Sequence, residues 1–159
     1  MNQEYFVFEL ASSIYLGVPL VNMGTVIQVE VQNICTVPGV ARFWYGVVNY
    51  KGSLLWVLDS DRFFNLPTQR QQRIQKLTAV ILKPDASSDS QKQIALVTTK
   101  LKGIAEIEPS CLEPLLDNVS PQLHQCCSAS VQTESQTTYM IDAASLLEQV
   151  YQQSSLVLA

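Results

Sequence analysis

The chain has 159 residues, a net charge of −4, and 15% charged residues against 47% hydrophobic ones. That length fits one domain, or two small subdomains sharing a core, and the composition is the reverse of a disordered chain's. The acidic balance and the scattered lysines and arginines exclude a nucleic-acid surface, which needs clustered positive charge.

No apolar run approaches the ~18–20 residues of a membrane span, so no direct membrane insertion is expected. The start, Met1-Asn2-Gln3-Glu4-Tyr5, lacks the basic and apolar regions of a signal peptide and alternates as a strand does. The four cysteines, Cys35, Cys111, Cys126 and Cys127, show no C-x-x-C spacing. Neighbours on a strand point to opposite faces, so Cys126 and Cys127 could pair only through a strained bond. Four reduced thiols in a cytoplasmic protein are expected.

Short apolar runs punctuated by turn residues predict an all-β chain. Residues 5–10 (YFVFEL) read as the first strand, Ala11-Ser12-Ser13 as a turn, and 14–18 as the second strand, ended by Pro19. Residues 21–31 are apolar and β-branched and read as a third strand; within it Met23 and Gly24 fit strand core better than a groove lining. Residues 46–50 and 54–58 flank Lys51-Gly52-Ser53 as a hairpin. Asp59-Ser60-Asp61 then predicts a capped helical turn through Phe64, stopped by Asn65-Leu66-Pro67.

A polar linker covers 68–75, a strand 76–83 and a flexible loop 84–91. Strands follow at 93–98 and 104–107, then a helical turn around Pro114 within 110–116. Residues 125–131 and 137–141 read as a closing hairpin. Asp142 caps a helix over 143–152 whose Leu146, Leu147, Val150 and Tyr151 form one apolar stripe. The halves echo each other: residues 54–64 and 138–147 are each an apolar strand, an Asp cap and a short helix ending in large apolar residues. Two small β-barrels in one domain fit this pattern, since neither alone would have a comfortable core.

Nothing in the chain forms a catalytic set. His124 and Cys126 share a face of the strand read here, but a Cys–His pair needs an orienting group and oxyanion donors, and none is evident. Ligand-pair spacing for a metal is lacking too. Capping explains Asp59, and the helix dipole favours an acid at Asp61. Arg70 and Arg73 belong to a solvated linker, and the triplet Asn118-Val119-Ser120 means nothing without secretion. Phe43, Trp44 and Tyr45 are consecutive, so a strand cannot bury all three on one face. At least one is expected to be exposed or in a groove, where aromatics mark partner sites. Trp56 alternates into the core, and Gly46, Asn49 and Gly52 have the character of turn residues.

Pro38, Gly46-Val47-Val48, Asn49-Tyr50-Lys51-Gly52 and the apolar strand from Leu54 to Asp59 form one pattern, with Tyr15-Leu16-Gly17-Val18-Pro19 upstream. Over roughly residues 4–152 the chain resembles the CheW-like chemotaxis coupling proteins. The resemblance implies two packed five-stranded SH3-like β-barrels, with approximate subdomains 12–75 and 76–152 and residues 4–10 lent to the second. It implies no enzymatic activity and no cofactor. The implied role is a cytoplasmic adaptor, peripheral to receptor arrays, that joins chemoreceptor cytoplasmic tips to the regulatory domain of a CheA-like histidine kinase.

The partner-binding candidates on that basis are Phe43, Trp44, Tyr45, Gly46, Asn49, Lys51, Gly52 and Thr25. Lys51 stands where the family usually has arginine, and lysine lacks the planar fork that holds a carboxylate bidentately. Thr25 stands where relatives often carry glutamate, and two residues are added before Pro38. These departures imply altered partner specificity, or an adaptor for type IV pilus motility or phototaxis. A small-molecule-binding β-barrel is the reading from a different class; it lacks a convergent polar pocket signature.

Overall fold

A computed structural model describes residues 2–67, 74–84, 92–133 and 136–158. Strands β1 (Gln3–Leu10) and β2 (Ile14–Pro19) form a hairpin through the turn Ala11–Ser13, in which Ser12 and Ser13 both take positive φ. After a 3-10 turn at Leu20–Asn22 comes β3 (Met23–Glu30), and later the hairpin β4 (Trp44–Tyr50) and β5 (Ser53–Leu58). Helix α1 (Ser60–Phe63) follows directly. The second half holds β6 (Lys76–Leu82), β7 (Ile94–Thr98), β8 (Lys100–Ile107), α2 (Pro121–Cys126), β9 (Cys127–Thr133), β10 (Gln136–Ile141) and α3 (Ala143–Leu158).

Two five-stranded curled sheets result, as expected of paired SH3-like barrels. One has the order β8-β1-β2-β10-β9 and the other β3-β6-β7-β5-β4. Their connectivities correspond strand for strand. Each contains one antiparallel pair from a hairpin (β1–β2, β6–β7), one parallel pair (β2–β10, β7–β5) and a second antiparallel hairpin (β10–β9, β5–β4).

The repeat extends to single hydrogen bonds. Asp59 N donates to Phe43 O at 2.7 Å, and Asp142 N donates to Cys126 O at 2.9 Å. The Asp59 side chain accepts from Arg62 N, and the Asp142 side chain from Ser145 N, both at 3.2 Å. Isolated bridges Cys35↔Val47 and Glu113↔Ser130 occupy matching places. The echo between the halves is therefore a structural duplication.

The sheets nevertheless exchange strands between the halves. β1 and β2 join β8, β9 and β10, while β6 and β7 join β3, β4 and β5. Crossovers fall at Leu20–Asn22 and at Thr99, whose N–H donates to Glu9 O at 2.9 Å. Subdomain limits at 12–75 and 76–152 thus do not follow the sheets. Alternation could not reveal this, because β6 and β7 are buried on both faces and read as continuous apolar runs. Val80, Leu82, Ile94 and Leu96 point between the sheets, whereas Ala79, Ile81 and Ala95 point into their own sheet's curl.

The largest core lies between the sheets. Phe8, Leu10, Leu16 and Val18 from one side meet Leu58, Val80, Leu82 and Leu96 from the other, with Phe63, Phe64, Leu146 and Val150 closing it. Smaller clusters fill each curl: Val29, Val48, Leu55 and Val57 in one, Tyr5, Ile107, Val131 and Met140 in the other.

Several boundaries differ from expectation. The strand expected at 125–131 begins only at Cys127, because Ser120 caps α2 with Pro121 in its first turn. The helical turn expected around Pro114 sits at Pro109–Cys111, and Glu113 bridges to Ser130 instead. β8 starts at Lys100, β4 at Trp44, and α3 continues to Leu158, with Tyr151 44% exposed and outside the buried stripe. Val21 lies in a 3-10 turn and is exposed. Arg70, Arg73 and most of the loop expected at 84–91 lie outside the described residues.

Both tryptophans, Trp44 and Trp56, lie on strands of the β4 sheet. A shared central core predicts that tryptophan fluorescence and far-UV circular dichroism give superimposable urea transitions. Two separated midpoints would show that the sheets unfold independently.

Candidate functional site

The β4–β5 hairpin carries most of the sequence-predicted residues. Tyr50 pairs with Ser53, leaving the two-residue loop Lys51-Gly52. Lys51 (φ 50) and Gly52 (φ 81) are both left-handed, the geometry of a type I′ turn. Asn49 Oδ1 accepts the Gly52 N–H at 3.1 Å and fixes the turn from within. The Lys51 ammonium sits 5.3 Å from the centre of the Tyr50 ring, so a lysine with an uncommon backbone gains a cation–π contact.

Gly46 has a different reason to be glycine. Its φ is +142, and a Cβ there would stand 2.2 Å from Cys35 O. The close approach lets Cys35 and Val47 exchange two backbone hydrogen bonds at 2.8 and 2.9 Å, which ties the preceding loop to β4. Gly46→Ala is expected to destabilise the protein by roughly 2–4 kcal/mol through this overlap, read as a lower urea midpoint. A midpoint equal to the parent's would mean that the loop moves aside freely.

Register sorts the aromatics. Trp44 pairs with Leu58, Val47 with Trp56, and Asn49 with Leu54, so these side chains share the outer face of the β4 sheet. Trp44 and Trp56 are half-buried with ring centres 5.1 Å apart. Leu54 continues the strip outward at 69% exposure, and Asn49 and Lys51 end it. At its inner end the Trp44 indole N–H donates to Ser154 Oγ on α3 at 2.8 Å.

None of the three consecutive aromatics is fully exposed; Trp44 and Tyr45 are half-buried, Trp44 on the strip. Phe43 is buried against Trp44 and Phe63, and Tyr45 turns to the inner cluster. A sheet covered on both faces has an inside for either parity. Trp56, expected in the core, is half-buried on the strip.

β3 and β4 are the outer strands of their sheet, and an open groove of about 520 Å³ separates them. Ile27, Val29, Val48 and Tyr50 give its apolar lining, with Glu30 and Lys76 at the sides. Asn49 is the one predicted site residue on its wall. Thr25 lies exposed on β3 beside a bulge and does not line it. Sequence reasoning missed Leu54, because nothing local distinguishes an exposed strand leucine from a buried one. It missed Ser154 because that contact spans 110 residues.

Other candidate groups are engaged elsewhere. Asp59 is buried and caps α1, with the Arg62 Nε at 3.9 Å, and Asp61 Oδ1 accepts from Ala11 N at 2.9 Å. Among the described residues no group of three His, Cys, Asp or Glu could hold a metal. His124 and Cys126 do not share a strand face. They lie two apart on α2, about 200° around its axis, with His124 Nε2 2.7 Å from Leu116 O and Cys126 in the core.

Burial pushes the Cys126 thiol up to about 12. It raises Cys127 as well, with added repulsion from Cys126 and Asp142. A nucleophilic thiol needs the opposite shift. Cys35 and Cys111 are exposed. Ellman's reagent on the native protein is therefore expected to titrate Cys35 and Cys111 quickly, and Cys126 and Cys127 only after guanidinium unfolding. Fast reaction at all four would contradict the burial of α2.

Comparison with known proteins agrees with this architecture. The chain is similar over 89% of its length, and over 90% of the other chain, to the scaffolding protein TtCheW from Thermoanaerobacter tengcongensis, with a TM-score of 0.71 at 16% identity. That structural likeness shows a common fold. No curated protein sequence matches the chain. Residues 4–150 match the CheW-like domain, covering both sheets and the first half of α3. The chain therefore belongs to the CheW-like domain family.

Proposed function

We propose that this protein is a non-catalytic adaptor that couples chemoreceptors to a CheA-like histidine kinase. It works in a chemotaxis-type pathway, in the cytoplasm at receptor arrays. Membership of the CheW-like family supports the scaffold role. One observation carries the choice of surface: exposed Leu54 extends the Trp44–Trp56 strip to a hairpin tip held rigid by Asn49 and Gly52. An apolar strip ending in a fixed positive charge suits an amphipathic helix with a carboxylate beside its apolar face. Such a helical hairpin is the receptor tip's contribution, and the open groove between β3 and β4 is left for the kinase.

Signal passes as contact geometry, since no step of bond chemistry is assigned to any residue. Lys51 and Thr25 favour a partner set apart from the family's usual one, as in an adaptor for pilus motility or phototaxis. A small-molecule barrel is disfavoured because the groove between β3 and β4 is open to solvent rather than enclosed.

The test mixes the protein with a CheA-like kinase and a receptor cytoplasmic fragment, followed by size-exclusion chromatography. A ternary peak is expected. Leu54→Arg and Lys51→Glu are expected to weaken receptor binding roughly 5- to 20-fold. Both positions are exposed, so melting temperature should stay near the parent's. Unaltered receptor affinity in both variants would remove the strip from the interface.

A further inference from the structure

Helix α3 is held by two different kinds of contact along its length. Ala143, Leu146, Leu147 and Val150 bury apolar side chains in the central core. From Tyr151 to Ser154 the contacts are polar. Gln153 exchanges amide hydrogen bonds with Gln122 at 3.1 and 3.2 Å, and Ser154 Oγ accepts the Trp44 indole N–H. The Tyr151 hydroxyl reaches Lys92 O at 3.4 Å.

Two of these anchors, at Gln153 and Ser154, are specific. Gln122 Nε2 also donates to Phe63 O at 3.0 Å, so its amide is fixed to the end of α1 before Gln153 meets it. Ser154 donates its own proton to Val150 O at 2.7 Å, which leaves its oxygen free to accept from Trp44. Water can replace each of these neutral bonds at little net cost, whereas nothing in water replaces the burial of Leu146 and Val150. The helix thus has an apolar root and, from Tyr151 to Ser154, a stretch held by exchangeable polar bonds at the inner limit of the Trp44–Trp56 strip.

We propose that α3 from Tyr151 to Ser154 is an autoinhibitory strap, which lifts from Trp44 to lengthen the apolar strip for a partner helix. This deepens the reading given under Proposed function and rests on it for the identity of the partner. Closed, the strap satisfies the Trp44 indole and shortens the accessible strip. Open, it frees the indole N–H and the Trp44 ring edge for the incoming helix. A partner that binds only the open form shows its intrinsic affinity reduced by the fraction of open molecules.

Gln153→Ala/Ser154→Ala in the full-length protein releases both anchors without touching the strip. Acrylamide quenching of tryptophan fluorescence is expected to rise about twofold, with the melting temperature unchanged. Affinity for the receptor fragment is expected to tighten about 3- to 10-fold. Ser154→Thr, which keeps the hydroxyl, should return quenching and affinity toward the parent's values. Unchanged quenching overturns the strap, as does increased quenching with equal or weaker receptor binding. If neither form binds receptor or kinase, the adaptor reading falls, and quenching together with binding of the apolar dye ANS then decides the strap by itself.

Discussion

Everything in this protein depends on the burial of two sheet faces against each other. A curled five-stranded sheet of this size encloses only a few side chains: Val29, Val48, Leu55 and Val57 on one side, Tyr5, Val131 and Met140 on the other. Neither set removes enough apolar surface from water to offset the ordering of its strands. Back-to-back packing supplies the remainder through Phe8, Leu16, Leu58, Leu82 and Leu96. The helices serve the same layer, since α1 contributes Phe63, α2 Leu123 and α3 Leu146.

That central layer also builds the strip. Residues on the outer face of β5 alternate from Leu58, fully enclosed, through half-buried Trp56 to exposed Leu54, because β5 runs out from under the other sheet. The strip is the edge of the core where it meets solvent, so its rings are positioned by the same packing that stabilises the fold. A surface pre-organised in this way loses little entropy on binding. The hairpin tip adds a charge at a fixed place, which flexible loops do not provide.

Local chemistry was legible in the sequence, and non-local pairing was not. Asp59 and Asp142 announce helix starts because a carboxylate beside free amides has one obvious use. Lys51-Gly52 between apolar runs reads as a hairpin for a similar reason. The start of α2 was also written locally, in Ser120-Pro121, but residues 125–131 beyond it read as a strand paired with 137–141. The burial of all three aromatics was not legible because alternation assumes one wet face, and at the Phe43–Tyr45 end of β4 both faces are covered. Of the partition of strands between sheets only the loan of residues 4–10 was expected, through the resemblance; parallel pairs such as β2 with β10 join residues from opposite ends of the chain and leave no local trace.

The exchanged strands have a consequence for the order of folding. β1 and β2 leave the ribosome well before β8, β9 and β10, which complete their sheet. The early hairpin must wait, with Phe8 and Leu16 uncovered, until nearly the whole chain has emerged. Loop closure over that span dominates the barrier, so folding is slow for a domain of this size. During that wait the unpaired side of β2 is open to a strand from another chain, and the nascent protein is at its most prone to misassembly.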